Sequence, residues 1–251
     1  MKVQEAHNEK IRVEGLTKKF GDLVVLNNIN FSIKKGELVS IVGPTGCGKT
    51  TFLNCMSKLI EPTEGNIYID GEVANPTRHN ISFVFQEPTA LPWRTVADNV
   101  AYGMELKNFS KEVTNQRLEE ILKLVGLSDT ANLFPNQVSA SMMQRISVAR
   151  AFAVHPDLLL MDEPYGQLDI KLRFYLEDEL VRLWETLKST VLFVTHNIEE
   201  AVYISNRILV LSNKPTFVRA EVPVDLPRPR IVTSPEFIEI RQNVTDLIRW
   251  W

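Results

Sequence analysis

Apolar residues fall along this chain in two rhythms. Residues 37–42, 81–86, 158–162 and 191–195 are short, nearly unbroken apolar runs, the pattern of strands buried on both faces. Between them apolar positions recur at helical spacing. Leu118, Ile121, Leu122 and Val125 form one stripe, with Gly126 following as a C-cap; Leu172, Leu176, Leu180, Leu183 and Leu187 form another, read as core. Residues 51–60 read as a helix stopped by Pro62, and the stretch from Val96 to about Val154 as mostly helical, broken at Pro135. Strands alternating with helices predict an α/β fold with a mostly parallel sheet. Residues 11–13 and 24–33, joined by a turn at Gly21-Asp22, and the glycine-bracketed stretch 65–71 read as further strands in an antiparallel layer. Near the end, Ser234 is a good N-cap and Pro235 a good first helical residue. Phe237, Ile240, Val244, Leu247 and Trp251 then make one apolar face, expected to pack on the chain's own core. There is no internal repeat and no low-complexity segment.

The run 37–42 leads straight into Gly43-Pro44-Thr45-Gly46-Cys47-Gly48-Lys49-Thr50, then Thr51. A strand, a glycine-rich turn and a helix start aim several backbone N–H groups and a helix dipole at one point, which suits phosphate. Gly46 and Gly48 let the backbone approach phosphate oxygens. Lys49 is placed to reach the β/γ-phosphates, and the Thr50 hydroxyl to hold Mg²⁺. A nucleotide with Mg²⁺ is therefore the expected ligand, with residues 43–51 as the binding loop.

The run 158–162 ends in Asp162-Glu163-Pro164. On an extended chain adjacent side chains point to opposite sides, so the two carboxylates are expected to divide the work. Asp162 is placed to bind Mg²⁺, directly or through water, leaving Glu163 to orient or deprotonate the attacking water. This makes the nucleotide binder a hydrolase.

Charge and composition narrow the picture further. With 251 residues the chain is long enough for one large α/β domain or a core with a subdomain. A formal net charge of −3 points to no nucleic-acid partner. Cys47 and Cys55 are too few and too close for a disulfide framework. No apolar run approaches the ~20 residues that span a bilayer, and the polar first ten residues lack a signal-peptide core.

With these motifs the chain resembles the ATP-binding subunits of ABC transporters, from about Ile11 to its end. The resemblance implies a P-loop ATPase core with an antiparallel β subdomain, at about 11–86 and 156–251, and a helical subdomain at about 87–155, in one cassette spanning 1–251. It implies that Phe20 stacks on adenine, where pattern alone reads a core aromatic. It makes Gln86 the sensor of Mg²⁺ and the attacking water, rather than a surface polar residue. Asp169, in Gly166-Gln167-Leu168-Asp169, becomes part of a loop crossing to a partner subunit. His196 becomes the γ-phosphate contact, where the bland reading is a hydrogen-bonded core histidine.

The signature segment departs from the family. The usual Leu-Ser-Gly-Gly-Gln is here Val138-Ser139-Ala140-Ser141-Met142, ahead of an intact Met143-Gln144-Arg145 helix. Ser139 remains and Ser141 adds a second hydroxyl facing the partner's ATP, but a Cβ replaces each glycine hydrogen. ATP binding is expected to survive. Closure and turnover are where the change is expected to tell, so the chain reads as a weakened homodimer, as one half of a heterodimer with one degenerate site, or as an altered version of the sequence.

After Gln86, the loop bearing Leu91-Pro92-Trp93 resembles the importer segment that receives a permease's coupling helix; Trp93 equally reads as a packed core residue. Residues 224–237 resemble the tail of nitrate/sulfonate/taurine-type importer ATPases, without an appended regulatory domain. The implied partners are a second ATPase subunit, a transmembrane permease and, indirectly, a solute-binding protein, with the chain peripheral on the inner membrane face. The alternatives are a soluble ABC ATPase of another assembly and a binding-only subunit.

Overall fold

The computed structural model describes residues 8–166 and 170–248. Two compact units emerge, one from residues 8–79 and 189–248 and the other from the described residues of 80–188.

In the first unit, β1 (Glu9–Phe20) and β2 (Leu23–Lys34) form a long antiparallel hairpin across the expected Gly21-Asp22 turn. β1 runs well past the three residues expected from sequence. Its pairing shifts register around Gly15, and that bulge hides the strand's continuity from a simple alternation test. β4 (Glu64–Ile69) pairs with β1, and β5 (Glu72–Val73), which no sequence signal marked, closes the layer.

A second set of strands centres on β3 (Leu38–Val42), flanked in parallel by β8 (Val191–Val194) and β9 (Arg207–Leu211). All five β3 residues are buried, as an apolar run between two parallel neighbours requires. β10 (Val218–Pro223) adds an antiparallel edge to β9. α1 (Lys49–Met56) stops well short of Pro62. Lys58 turns to φ +61, and the Ser57 and Lys58 N–H groups bond back to Leu53 and Cys55. α6 (Ile198–Ile204) and α7 (Pro235–Ile248) complete the unit. Phe237 and Val244 of α7 are fully buried among Val42, Val202, Ile208, Val210 and Val222, so this helix packs on its own unit. Trp251 lies outside the described residues.

In the second unit, β6 (Ile81–Val84) and β7 (Leu158–Asp162) pair in parallel. β6 ends two residues before Gln86, earlier than the apolar pattern reads. The helices are α2 (Val96–Leu106), α3 (Lys111–Leu124), α4 (Ala140–Ala153) and α5 (Ile170–Leu187). Thr95, Ser110 and Ser139 cap the first three through side-chain oxygens. On α5, Leu176, Leu180 and Leu183 are buried while Leu172 and Leu187 are half-buried, a core stripe open at its ends.

Candidate functional site

In the first unit β3 delivers the chain into the loop 43–48, closed by the Cys47 N–H on the Pro44 carbonyl at 3.2 Å. Gly46 sits at φ +76 with nothing within 4 Å of where its Cβ would be, so the concave side of the turn is open. Gly48 sits at φ +114 and is the N-cap of α1, and no side chain caps that helix. A Cβ at Gly48 would meet Val25 Cγ1 at 2.8 Å, so any other residue would push the loop off β2. With no acid in the first turn and no side-chain cap, the positive end of α1 faces the same opening. Lys49 is buried, and its Nζ donates to the carbonyls of Gly43 and Pro44 at 3.1 and 3.2 Å. Thr45 and Thr50 are exposed and Thr51 half-buried. The arrangement is an anion cradle with a cation across its mouth.

Two features of this loop escape sequence reading. Cys47 is a free, buried thiol; burial pushes its pKa up, so it fills space as a neutral group. Thr216, fully buried on the connection between β9 and β10, donates its hydroxyl to the Cys47 carbonyl. Its backbone is in turn bonded to β2, with its N–H on the Val25 carbonyl at 2.9 Å and its carbonyl accepting from Asn27 at 2.8 Å. Thr216 thus holds the phosphate loop to the hairpin from a position far away in sequence.

The same unit brings His196 to the end of the sheet where the loop sits. β8 and β3 run parallel with Val194 beside Ile41, so both chains leave the sheet side by side. His196 is exposed, not the core histidine of the bland reading. Its backbone is set by neighbours on each side. Thr195 is buried with its hydroxyl on Glu200, and Asn197 caps α6 by accepting from the Glu199 N–H at 3.0 Å. Phe20 closes β1 at the hairpin end, paired with Leu23 of β2 two residues before the Val25 that packs on Gly48, and is 48% exposed. A core role is therefore ruled out; the ring is half open to solvent, with the Lys18 ammonium 5.0 Å from its centroid.

In the second unit the register Val84 beside Met161 brings Gln86, Asp162 and Glu163 to one end of the strand pair. Asp162 ends β7 and is 7% exposed. Glu163 is not part of the extended strand. It turns at φ +43, starting a bend closed by the Gly166 N–H on its own carbonyl at 3.2 Å. The two carboxylates are thus set apart by a left-handed turn rather than by the strand alternation expected from sequence. Tyr165, buried, anchors that bend by donating its hydroxyl to the Leu176 carbonyl at 3.3 Å. Gln86 is exposed beyond the strand. Asp169 lies outside the described residues.

Ser139 caps α4, its hydroxyl accepting from the Met142 N–H at 3.3 Å and lying 2.9 Å from the Ser141 hydroxyl. Ala140 and Ser141 are already helical, so both extra Cβ atoms sit on the first turn. Arg145 ties this helix to the end of α3, donating to the Val125 and Gly126 carbonyls at 2.9 and 3.3 Å. The loop ahead of α2 carries Trp93 at 72% exposure, which removes the packed-core reading of that residue.

Known proteins resemble this chain along most of its length. The family model described as ABC transporter matches residues 26–166. An uncharacterised ABC transporter ATP-binding protein of Methanocaldococcus jannaschii is 40% identical, across 99% of this chain and 95% of the relative. The aliphatic sulfonates import ATP-binding protein of Bacillus cereus is 39% identical, across 93% of this chain and 94% of the relative. Among solved structures, an ATP-binding cassette captured as a dimer in a post-hydrolysis state with ADP and Pi is 35% identical. It aligns with a TM-score of 0.74 over 86% of this chain and all of the other. A Clostridium perfringens protein, part of the cbiONQ ABC transporter complex, shares the fold at 23% identity, with a TM-score of 0.79 over 86% of this chain and 89% of the other.

Proposed function

This chain belongs to the ABC transporter family as an ATP-hydrolysing cassette, and from that premise we propose that it powers an importer. In this reading two cassettes close head to tail on ATP and drive a separate membrane permease fed by a solute-binding protein. The solute is a small organic or inorganic anion of the sulfonate, taurine or nitrate kind, in line with the sulfonate-import relative. No described helix is long and apolar enough to cross a membrane, so the pore is assigned to another chain. The nucleotide-binding core is assigned to about 11–86 and 156–251 and the helical subdomain to about 87–155.

The single observation that carries the reading is the open cradle at Gly46, walled by Gly48 and bridged by Lys49. Such a cradle suits the oxygens of a polyphosphate. Phe20 offers a face to adenine, and Lys49 moves from the loop carbonyls to phosphate oxygens. The Thr50 hydroxyl, the Asp162 carboxylate and the Gln86 amide are hard oxygen donors of the kind Mg²⁺ takes. Magnesium, when bound there, neutralises developing phosphate charge. Glu163 is the proposed base or orienter of the attacking water, and His196 a γ-phosphate donor. Ser139, Ser141 and Asp169 are assigned to the partner's nucleotide.

The experiment separates ground-state binding from chemistry. Lys49→Ala should abolish ATP binding in calorimetry, whereas Glu163→Gln should bind ATP normally and release no phosphate. Equal loss of affinity in both variants would overturn the role assignment. Removing this chain from its cell should also stop uptake of labelled alkanesulfonate, taurine or nitrate; unchanged uptake of all three would sink the importer assignment.

One observation favours a second reading. The paired Ser139 and Ser141 hydroxyls, with side chains at both former glycine positions, support a subunit that closes poorly on ATP and works beside a more active partner.

A further inference from the structure

Residues 85–95 contain no helix or strand, yet polar side chains hold them at several points, among them the Arg94–Glu105 ion pair at 2.7 Å, and two further ones set the course of the loop. The first is Asn99, fully buried in α2. Its Oδ1 accepts from the Leu91 N–H at 2.7 Å, and its Nδ2 lies within 3.1 Å of the carbonyls of Leu91, Arg94 and Thr95. One amide thereby folds the turn that presents Trp93. The second is Arg150 of α4, whose Nη1 donates to the Thr89 carbonyl at 2.9 Å and whose Nη2 donates to the Thr89 hydroxyl at 2.7 Å. A planar fork with two donors on one residue fixes orientation as well as distance.

The placement of this clasp matters more than its strength. Thr89 lies three residues after Gln86 and four before Trp93. Arg150 lies on the same continuous helix that Ser139 caps, about 16 Å along a rod of 1.5 Å per residue. We propose that Arg150 is a positioning residue that clamps the segment carrying Gln86 and Trp93 to the signature helix, so that helix and loop move as one body. The proposal rests on the roles assigned above to Gln86 and Ser139. Closure of Ser139 on a partner's nucleotide then displaces the Trp93 loop directly, and a push on Trp93 reaches Gln86 by the same route. Without the clamp, the remaining described anchors of the loop, Asn99 and the Arg94–Glu105 ion pair, all lie downstream of Gln86. Gln86 then samples more positions, and turnover falls while the nucleotide cradle stays intact.

The test is a double-mutant cycle in the full chain, with Arg150→Ala, Thr89→Val and the pair, plus Arg150→Lys as the charge-keeping variant that cannot make both bonds. Hydrogen–deuterium exchange should rise across residues 86–91 in Arg150→Ala and less in Arg150→Lys, with β6 unchanged. Turnover should drop about tenfold in Arg150→Ala with ATP affinity within about twofold, and adding Thr89→Val should lower it no further. Arg150→Lys should recover part of the loss. Strictly additive losses, unchanged exchange in 86–91, or a parallel fall in melting temperature, affinity and turnover would each overturn the clamp. The exchange arm needs no turnover. A wild-type chain that releases no phosphate would sink the functional reading, while exchange alone would still decide the clamp.

Discussion

Thr216 shows what a single residue contributes outside any motif. It sits on the connection between β9 and β10 and is fully buried, yet its hydroxyl reaches the Cys47 carbonyl inside the phosphate loop. A valine there keeps the shape and leaves that carbonyl without its donor. Thr216→Val should lower stability by about 1–2 kcal/mol and weaken ATP binding severalfold, whereas Thr216→Ser should stay near wild type in both melting and calorimetry. Equal behaviour of valine and serine would mean that the contact does not position the loop. Lys49, Asp162 and Glu163 stand out in the sequence as candidates because phosphate chemistry demands those residue types in a fixed local order. Thr216 was not, because its contact is made 169 positions away in sequence and any hydroxyl looks alike in a string. Glu163 falls between these cases. Its identity was readable, but its left-handed backbone was not, since φ depends on how Tyr165 is pinned by Leu176.

At the scale of the element, α4 poses the sharpest question. Its first turn carries Ala140 and Ser141 where the family resemblance expects glycines, and Ser139 and Ser141 share a hydroxyl contact. Glycine at both positions would free the backbone to approach a partner's phosphate but cost up to about 1 kcal/mol each in helix stability. The double variant Ala140→Gly/Ser141→Gly should therefore melt lower yet release phosphate faster under saturating Mg²⁺-ATP. Turnover that stays unchanged would show that the loop tolerates side chains; turnover that stays absent would favour a different partner subunit. Strands and helices with one clean period were readable in advance, as β7 and α7 were. β1 and α1 end elsewhere than the hydrophobic period predicts, because a bulge and a backbone reversal at Lys58 obey local hydrogen bonding instead.

For the whole molecule the issue is coupling to other chains. Trp93 is largely exposed on a loop that Asn99 holds rigidly, an arrangement suited to receiving an apolar partner helix. Trp93→Ala should leave the isolated chain's melting temperature within about 2 °C and its ATP affinity unchanged, since little packing is lost. The same change should abolish uptake in the cell. Unfolding of the isolated variant would mean that Trp93 belongs to the core after all. By itself the sequence determined the α/β class, the phosphate loop, the acidic strand end and the family, because buried parallel strands and phosphate contacts each require a contiguous pattern. Only the tertiary structure decided that Phe20, Trp93 and His196 face outward, that Glu163 leaves its strand through a turn, and that Thr216 and Arg150 tie distant segments together. Exposure and long-range hydrogen bonds depend on which surfaces meet when the chain folds, and no local pattern of residues encodes them.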